Sequence, residues 1–358
     1  MTAFEMVLDR MQEVGMYLMY DMRFTYMNNT SVMEQVNSIK YRPNLLLWYT
    51  GDEPDGTSDP LNATTIAYDL IYSLDGYHPV SLVLNCQDYE WASYTAGTDI
   101  VMQDVYMIGN NVTWSNEWNT TCTPDYGDCG CDNCFSIPAG DSAAVSPNST
   151  YYGRTIPENS GVGSYFAISD RVSSFKNRLE VMGWERTKAV WTVPQAFNGS
   201  AESVVFVFLY LLWLTILARY WMRIPTGEEW VVQTILGINQ GALGVVPWSD
   251  PTPSYIKTAA SAFAVSLPMF TPFFFNATSV RSNYLVGGVD IATWAMPTAA
   301  VTLILAANTD YATSNVTWKD IGLEGAGAEA IYTSGSVETT DSSFMLGSVA
   351  SAAFVVRS

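Results

Sequence analysis

The chain has 358 residues, 48% of them hydrophobic and 13% aromatic, which is enough to bury the core of one large domain or two ordinary ones. Its formal net charge is −19, and a surface that negative repels phosphate backbones, which argues against a nucleic-acid partner. The single histidine, His78, excludes zinc motifs built on two histidines, so we expect no metal or other cofactor and assign proton transfer to carboxylates.

The N-terminal residues have the pattern of an amphipathic helix. They lack the basic start, the continuous apolar stretch and the small-residue cleavage site of a signal peptide. The chain nevertheless carries nine N-x-[ST] sequons, a number typical of secreted glycoproteins. The sequon asparagines are Asn28, Asn29, Asn62, Asn111, Asn119, Asn148, Asn198, Asn276 and Asn315. We therefore expect an extracellular, secreted protein whose signal peptide is missing from this sequence.

Six short apolar segments predict β-strands, and helical patterns separate them. The predicted strands are GMYLMYD from Gly15, NLLLWYT from Asn44, PVSLVLN from Pro79, DIVMQDVY from Asp99, KAVWTVP from Lys188 and GALGVVPW from Gly241. The helical segments include SVMEQVNSIK, ATTIAYDLIYSL, SDRVSSFKNRLEVMG, TGEEWVVQTILGIN and PSYIKTAASAFAVSL. Strands and helices that alternate in this way predict an α/β fold with a parallel sheet.

Six βα units suit a doubly wound sheet, whereas a (β/α)8 barrel needs eight. Two features favour the barrel: polar and aromatic residues follow the strands, and no glycine-rich phosphate loop follows any strand. The predicted fold is therefore a TIM-type barrel over residues 1–275 that lacks its first two βα units.

Residues 110–163 form a predicted long polar loop at the strand ends, where such loops shape substrate sites. Cys122, Cys129, Cys131 and Cys134 lie close together in it, and their polar surroundings favour a disulfide-linked surface loop over a zinc site. Cys86 is left over, either as a buried free thiol or with its partner outside this chain.

Residues 203–221 are apolar around their whole circumference, over a length just short of a membrane span. A membrane crossing here would separate a barrel strand from its helix, and sequons flank the segment on both sides. We interpret it as foreign sequence such as a translated intron, with a buried amphipathic insertion and a true anchor as second and third alternatives. We accordingly expect no membrane partner.

From Asn276 to the end, short alternating segments are separated by Gly, Asn and Asp. This pattern predicts a small antiparallel β-sandwich over residues 276–358.

The segment NLLLWYTGDEPDG is the sharpest chemical signal, because a buried strand ends directly in Asp52 and Glu53. An acid at the mouth of a barrel beside apolar walls can act as a general acid; the alternative is a solvated turn or helix cap. A direct mechanism needs a second carboxylate. The candidates are Asp104, which could instead form a buried ion pair with Arg23, and Asp21, Glu90 and Asp250. Tyr49, Trp191 and Trp248 lie near strand ends and could line a sugar site.

The chain resembles the (β/α)8 glycoside hydrolases that carry a C-terminal β-sandwich. The segments that carry the resemblance are WYTGDEPDG, VWTVPQAF and RIPTGEEWVVQTILGINQGALGVVPW, at the fourth, seventh and eighth strands if two units are missing. The resemblance implies that Glu53 is the acid/base. The large retaining clan has Asn before this Glu and a nucleophilic Glu on the seventh strand, whereas this chain has Asp52 and Gln195. The Asp-Glu pair resembles instead the hexosaminidase-type families, in which Asp orients a substrate 2-acetamido group that serves as the nucleophile.

Three functions remain at this stage. The first is a glycoside hydrolase that acts on a carbohydrate polymer or glycan with Glu53 as general acid. The second is a non-catalytic, carbohydrate-binding or adhesin-like glycoprotein, which the neutral Gln195 favours. The third is an inactive, truncated gene product.

Overall fold

A computed structural model describes residues 3–57, 59–108, 165–197, 223–250, 252–323 and 327–357, and the backbone of four two-residue strands between Trp114 and Thr155. The chain divides into two compact units. Of the described residues, the first unit contains 3–104 and 174–191, and the second contains the rest.

The helices in chain order are α1 Ala3–Glu13, α2 Asn29–Ile39, α3 Ala63–Leu74, α4 Trp91–Ala96, α5 Phe166–Val181, α6 Gly227–Asn239 and α7 Ser254–Phe274. The strands are β1 Leu18–Asp21, β2 Leu45–Asp52, β3 Val80–Leu84, β4 Ile100–Gln103, β5 Trp114–Ser115, β6 Thr120–Thr121, β7 Thr150–Tyr151, β8 Arg154–Thr155, β9 Ala189–Thr192, β10 Val280–Val286, β11 Val289–Met296, β12 Val301–Asn308, β13 Ser314–Thr317, β14 Ala328–Ser334, β15 Val337–Thr339, β16 Ser343–Leu346 and β17 Ser351–Arg357.

The first unit contains a five-stranded sheet in the order β1-β2-β3-β4-β9, and the pairs β1–β2, β2–β3 and β3–β4 are parallel. Strand β3 is buried along its whole length, as expected for a parallel sheet covered on both faces. Helix α2 begins where the Asn28 side chain accepts a hydrogen bond from the Ser31 N–H, and it buries Val32 and Val36 in the core cluster that also contains Trp48.

Parallel pairing also occurs within the second unit. Thr192 and Gln195 form parallel bridges with Val245 and Trp248. All six segments predicted as strands therefore lie in β pairing, and the alternation of strands and helices is confirmed.

Helix α6 begins with a capping box, in which the side chains of Thr226 and Glu229 each accept a hydrogen bond from the other's backbone N–H. Helix α7 begins where predicted but continues past Leu267 to Phe274, although Pro268 and Pro272 lie inside it.

Two antiparallel sheets follow α7, with strand orders β10-β11-β12-β17-β14 and β13-β16-β15. A cluster of buried side chains from both sheets, including Ile304, Phe344 and Phe354, forms a shared core. The opposite face of the larger sheet packs on α6 and α7 through residues such as Trp294. The antiparallel strands predicted for the C-terminal part of the chain are therefore present.

Several predictions fall outside the described residues. They include the apolar segment 203–221, the four cysteines of the 110–163 loop and most of that loop. Within the part of the chain that the structure describes, no helix has the length and apolar character needed to cross a membrane.

Candidate active site

The candidate site of the first unit begins where β2 ends. Pairing with β3 continues through the Glu53 N–H, which donates to the Val83 carbonyl oxygen at 3.1 Å. Glu53 itself has φ 51°, in the left-handed region that residues other than glycine seldom adopt. Strain of this kind persists only where the surrounding structure imposes it, and it clusters at functional sites.

The half-buried Glu53 carboxyl group is held by an amide from the neighbouring strand end. Asn85 Nδ2, one residue beyond β3, donates a hydrogen bond to Glu53 Oε2 at 3.1 Å. The carboxyl ends of adjacent parallel strands meet at one edge of a sheet, which is why residues 32 positions apart come together. The amide fixes the direction of the carboxyl group.

Asp55 connects the two strand-end loops. Its side chain is buried, and Oδ1 accepts hydrogen bonds from the backbone N–H groups of Gly56 at 3.0 Å and Asn85 at 3.1 Å. Oδ2 accepts the N–H of Cys86 at 2.7 Å. Carboxylate bonds to backbone N–H groups are strong because the acceptor is charged. Asp55 therefore sets the position of the Asn85 backbone, and through it the amide that contacts Glu53.

Asp52 is held from two sides. Its Oδ1 accepts a hydrogen bond from the Tyr49 hydroxyl, and its Oδ2 pairs with Arg23 Nη1 at 3.2 Å. Burial raises the pKa of Tyr49 well above its usual value, and the negative charge of Asp52 raises it further. The Tyr49 phenol therefore stays a hydrogen-bond donor.

Arg23 also binds Asp21, whose Oδ2 lies 3.2 Å from its Nε. Burial raises the pKa of Asp21, and the nearby Asp52 adds to this, while the Arg23 N–H and guanidinium oppose it. Arg23 thus brings together two carboxyl groups that the sequence predicts at successive strand ends.

Phe24 is 89% exposed, directly after Arg23 in the chain. The Arg23 guanidinium carbon lies 4.9 Å from the centre of the phenyl ring, within cation–π range. The exposed ring therefore lies beside the arginine that binds Asp52.

The other first-unit candidates occupy different environments. Asp104 is buried just after β4, and its charge contributes to the raised pKa of Tyr49. Glu90 is exposed, has φ 46° and accepts a hydrogen bond from Ser93 Oγ at 3.3 Å. Trp191 on β9 is half-buried.

Three candidates belong to the second unit. Gln195 is fully buried: its Oε1 accepts the Ile108 N–H at 2.9 Å, and its Nε2 donates to the Ile108 carbonyl oxygen at 3.0 Å. Trp248 is half-buried. Asp250 is exposed and pairs with Lys257 at 2.5 Å, and this hydrogen bond lowers its pKa.

Sequence reasoning missed Phe24, Asp55 and Asn85. Asn85 carried the same signal as Glu53, a polar residue after a buried strand, while nothing in the sequence marks Asp55 as more than a turn residue. Cys86 is buried and disulfide-bonded, so both interpretations of it, a free thiol and a partner outside this chain, are wrong; the partner is a cysteine of this chain outside the described residues. Among the described residues, no group of three or more His, Cys, Asp or Glu side chains could hold a metal ion.

No protein-family model matches the sequence, and no curated protein matches it significantly. Solved structures are similar in fold. A family 39 glycoside hydrolase from the gut symbiont Bacteroides cellulosilyticus WH2 has a TM-score of 0.52 and 13% identity, over 100% of this chain and 71% of that one. A family 51 α-L-arabinofuranosidase from Bifidobacterium longum has a TM-score of 0.50 and 9% identity, over 100% of this chain and 79% of that one.

An α-amylase from Geobacillus thermoleovorans matches at a TM-score of 0.47 and 8% identity, over 92% of this chain and 64% of that one. This chain thus spans less than two thirds of the α-amylase. The first two comparisons establish that the chain has a fold like that of the (β/α)8 glycoside hydrolases, as the sequence predicts.

Proposed function

We propose that the protein is a glycoside hydrolase that acts on a carbohydrate polymer or glycan, with Glu53 as the general acid. The observation that carries the proposal is the position of Glu53. It follows a buried parallel strand in a glycosidase-like fold, in a left-handed conformation, with Asn85 bound to its carboxyl group. Catalytic groups of TIM-type barrels lie at this end of the strands.

In the proposed mechanism Glu53 protonates the oxygen of the glycosidic bond as that bond breaks. The Asn85 amide keeps the carboxyl group oriented while its proton leaves and returns. Asp52, fixed by Tyr49 and Arg23, holds a polar group of the sugar beside it. The second carboxylate that a direct mechanism requires is Asp104, which is buried at the end of the strand two places along the sheet. As the leaving oxygen departs, Asp104 either bonds to the anomeric carbon, to be displaced later by water, or takes the proton of a water molecule that bonds to this carbon.

The sugar itself stacks on Phe24. An exposed phenyl ring offers the flat apolar face that pyranose C–H groups pack against, and Arg23 limits the positions that the ring can take. At 89% exposure the Phe24 ring is accessible to a ligand from solvent.

We also propose an architecture for the chain and a cellular compartment for the protein. The six predicted strands correspond to the third to eighth strands of a TIM-type barrel, and the antiparallel sheets form a C-terminal β-sandwich. The protein is secreted, as its nine sequons indicate.

The test compares the wild-type chain with Glu53→Gln on a panel of aryl glycosides and polysaccharides. The amide keeps the shape of the carboxyl group and removes its proton, so turnover of polysaccharide should fall at least about a hundredfold. Aryl glycosides with good leaving groups should be affected less, because their departure needs little protonation.

Glu34→Gln is the matched control, since Glu34 is exposed on α2 of the same unit and should leave turnover unchanged. A Glu53→Gln variant that cleaves polysaccharide at the wild-type rate would show that Glu53 is not the acid.

The alternative is a carbohydrate-binding protein without catalysis, and Gln195 favours it. Its neutral amide is engaged with the backbone of Ile108, at the position where the retaining enzymes of the resemblance carry their nucleophile. Wild-type protein that binds glycans and cleaves none of the panel would establish this alternative, and protein that does neither would favour an inactive, truncated product.

A further inference from the structure

The second unit has a groove of about 500 Å³ that lies between the first turn of α6, the first half of α7 and the end of β14. Small-molecule sites commonly measure about 300–1,000 Å³. None of the residues that line this groove belongs to the site around Glu53.

The walls of the groove are fixed by packing. At Gly227 a β-carbon would lie 3.0 Å from Ala259 Cβ and 3.1 Å from the Tyr255 carbonyl oxygen, so glycine allows α6 and α7 to approach closely here. The buried Glu229 carboxyl group anchors the start of α6 through Arg223, at 2.6 and 2.7 Å, and through the Thr226 N–H at 2.7 Å.

The floor is equally rigid. Tyr332 of β14 is buried, and its ring packs edge-on against Phe263 of α7, with the ring centres 5.4 Å apart. Strand β14 is the last strand in the order of the larger sheet. The groove is therefore a preformed feature between two helices and a sheet edge.

The chemistry of the lining suits a neutral, hydroxyl-rich ligand. Four aliphatic hydroxyl side chains line it, and Tyr255, 50% exposed, adds an accessible aromatic ring. These hydroxyl residues are Thr226, Thr258, Thr333 and Ser334. Glu228 is the one carboxylate among the lining residues, and none of them is basic.

This composition excludes other ligand classes. An anion would meet a carboxylate and no cation, in a protein with a net charge of −19. A metal ion would find a single carboxylate.

We propose that this groove is a second carbohydrate-binding site, in which Tyr255 stacks on a neutral sugar ring while Glu228 and the surrounding hydroxyl groups accept and donate hydrogen bonds to its hydroxyls. The choice of ligand class rests in part on the proposed function, but the binding does not require hydrolysis.

The test is native gel electrophoresis in gels that contain hydroxyethyl cellulose, arabinoxylan or soluble starch. All variants carry Glu53→Gln, so that the polysaccharide stays intact. We expect at least one polymer to retard this parent, and Tyr255→Ala and Glu228→Gln each to weaken the retardation, Tyr255→Ala by roughly tenfold in apparent affinity. Tyr72→Ala is the matched control, because Tyr72 is a 60% exposed helical tyrosine on α3.

Two results would overturn the proposal: no retardation of the parent by any polymer, or equal retardation of the parent and both groove variants. Hydrolysis is measured separately with wild-type protein, so that failure of the groove proposal and failure of the proposed function are distinguishable. Unchanged circular dichroism and melting temperatures of the variants show that a loss of binding is not a loss of folding.

Discussion

At the scale of single residues, Phe24 is an exposed ring in contact with Arg23, which binds the carboxyl groups of the candidate site. Replacing it by alanine removes the ring that faces solvent and leaves the pairs of Arg23 with Asp21 and Asp52 in place. If the ring is a sugar platform, Phe24→Ala should raise KM about tenfold and change kcat little, because stacking acts equally on the bound substrate and the transition state. Steady-state kinetics on polysaccharide measure both constants.

The chain provides a close control for this variant. Tyr41 is 84% exposed, and the Lys40 ammonium lies 5.2 Å from the centre of its ring, but it precedes β2 and so lies at the other end of the strands. Tyr41→Ala should leave KM unchanged. An unchanged KM for Phe24→Ala would remove Phe24 from the substrate site.

The place of a residue in the fold could be predicted where the residue follows an apolar segment in the sequence. Asp52 and Glu53 follow a buried strand, and the structure places both at its end. Asp55 could not be found in this way, because its role depends on the path of the loop after β3, which brings two backbone N–H groups to it from thirty residues away. A single sequence carries no record of such a long-range backbone contact.

At the scale of elements, three hydrogen-bonded side chains join β2 to the loop between α3 and β3. Asp75 Oδ2 accepts the Trp48 indole N–H at 2.9 Å and lies 2.7 Å from His78 Nδ1. Burial alone would raise the pKa of Asp75, but the hydrogen bonds from His78 and Trp48, together with the charge of His78, lower it below its usual value. The one histidine of the chain thus has a structural partner in the first unit.

A lowered pKa in the folded state gives stability that is fully present above the pKa of the unfolded chain, about 4, and that is lost as the pH falls through the folded value. Asp75→Asn should therefore lower the free energy of unfolding at pH 6, and the difference from wild type should shrink below about pH 4. Urea unfolding, followed by tryptophan fluorescence at a series of pH values, measures this difference.

Asp69→Asn, at an exposed position of α3, serves as the control and should leave the free energy of unfolding nearly unchanged. A difference between wild type and Asp75→Asn that does not vary with pH would mean that the Asp75 charge does not stabilise the fold.

The C-terminal end of helix α7 could not be predicted from the local sequence. Proline lacks the N–H that continues a helix, so the sequence predicts an end near Leu267. The helix continues to Phe274 because Phe270 and Phe273 are buried in the core cluster that also contains Trp294 of the larger sheet. Tertiary burial outweighs the loss of backbone hydrogen bonds, and local sequence does not report that burial.

At the scale of the whole molecule, strand and helix types were predictable because the parallel sheet demands continuous apolar segments such as β3, and these stand out between polar turns. The assembly of these strands and helices into two compact units was not predictable from the sequence, because the division depends on contacts between distant parts of the chain.

The proposed secretion can also be tested at the scale of the whole chain. Five of the nine sequon asparagines lie in described residues, and all five are exposed: Asn28, Asn29, Asn62, Asn276 and Asn315. Chain secreted from a yeast host behind an added signal peptide should therefore lose apparent mass on treatment with peptide N-glycosidase. Asn62→Gln and Asn276→Gln should each remove one glycan, as read by mass spectrometry.

Asn44→Gln is the control, since Asn44 is buried and lies outside any sequon. Secreted protein of unmodified mass would argue against glycosylation and would leave the extracellular assignment without its main support.

The hydrogen bonds of Asp55 allow the side chain at position 85 to vary without a change in the loop. Asp55 binds the main chain at positions 85 and 86, through atoms that every amino acid except proline carries. The course of the loop is therefore independent of which side chain stands at position 85. That side chain touches the proposed acid, so evolution or a designer can exchange the group beside Glu53 while the scaffold beneath it keeps its shape.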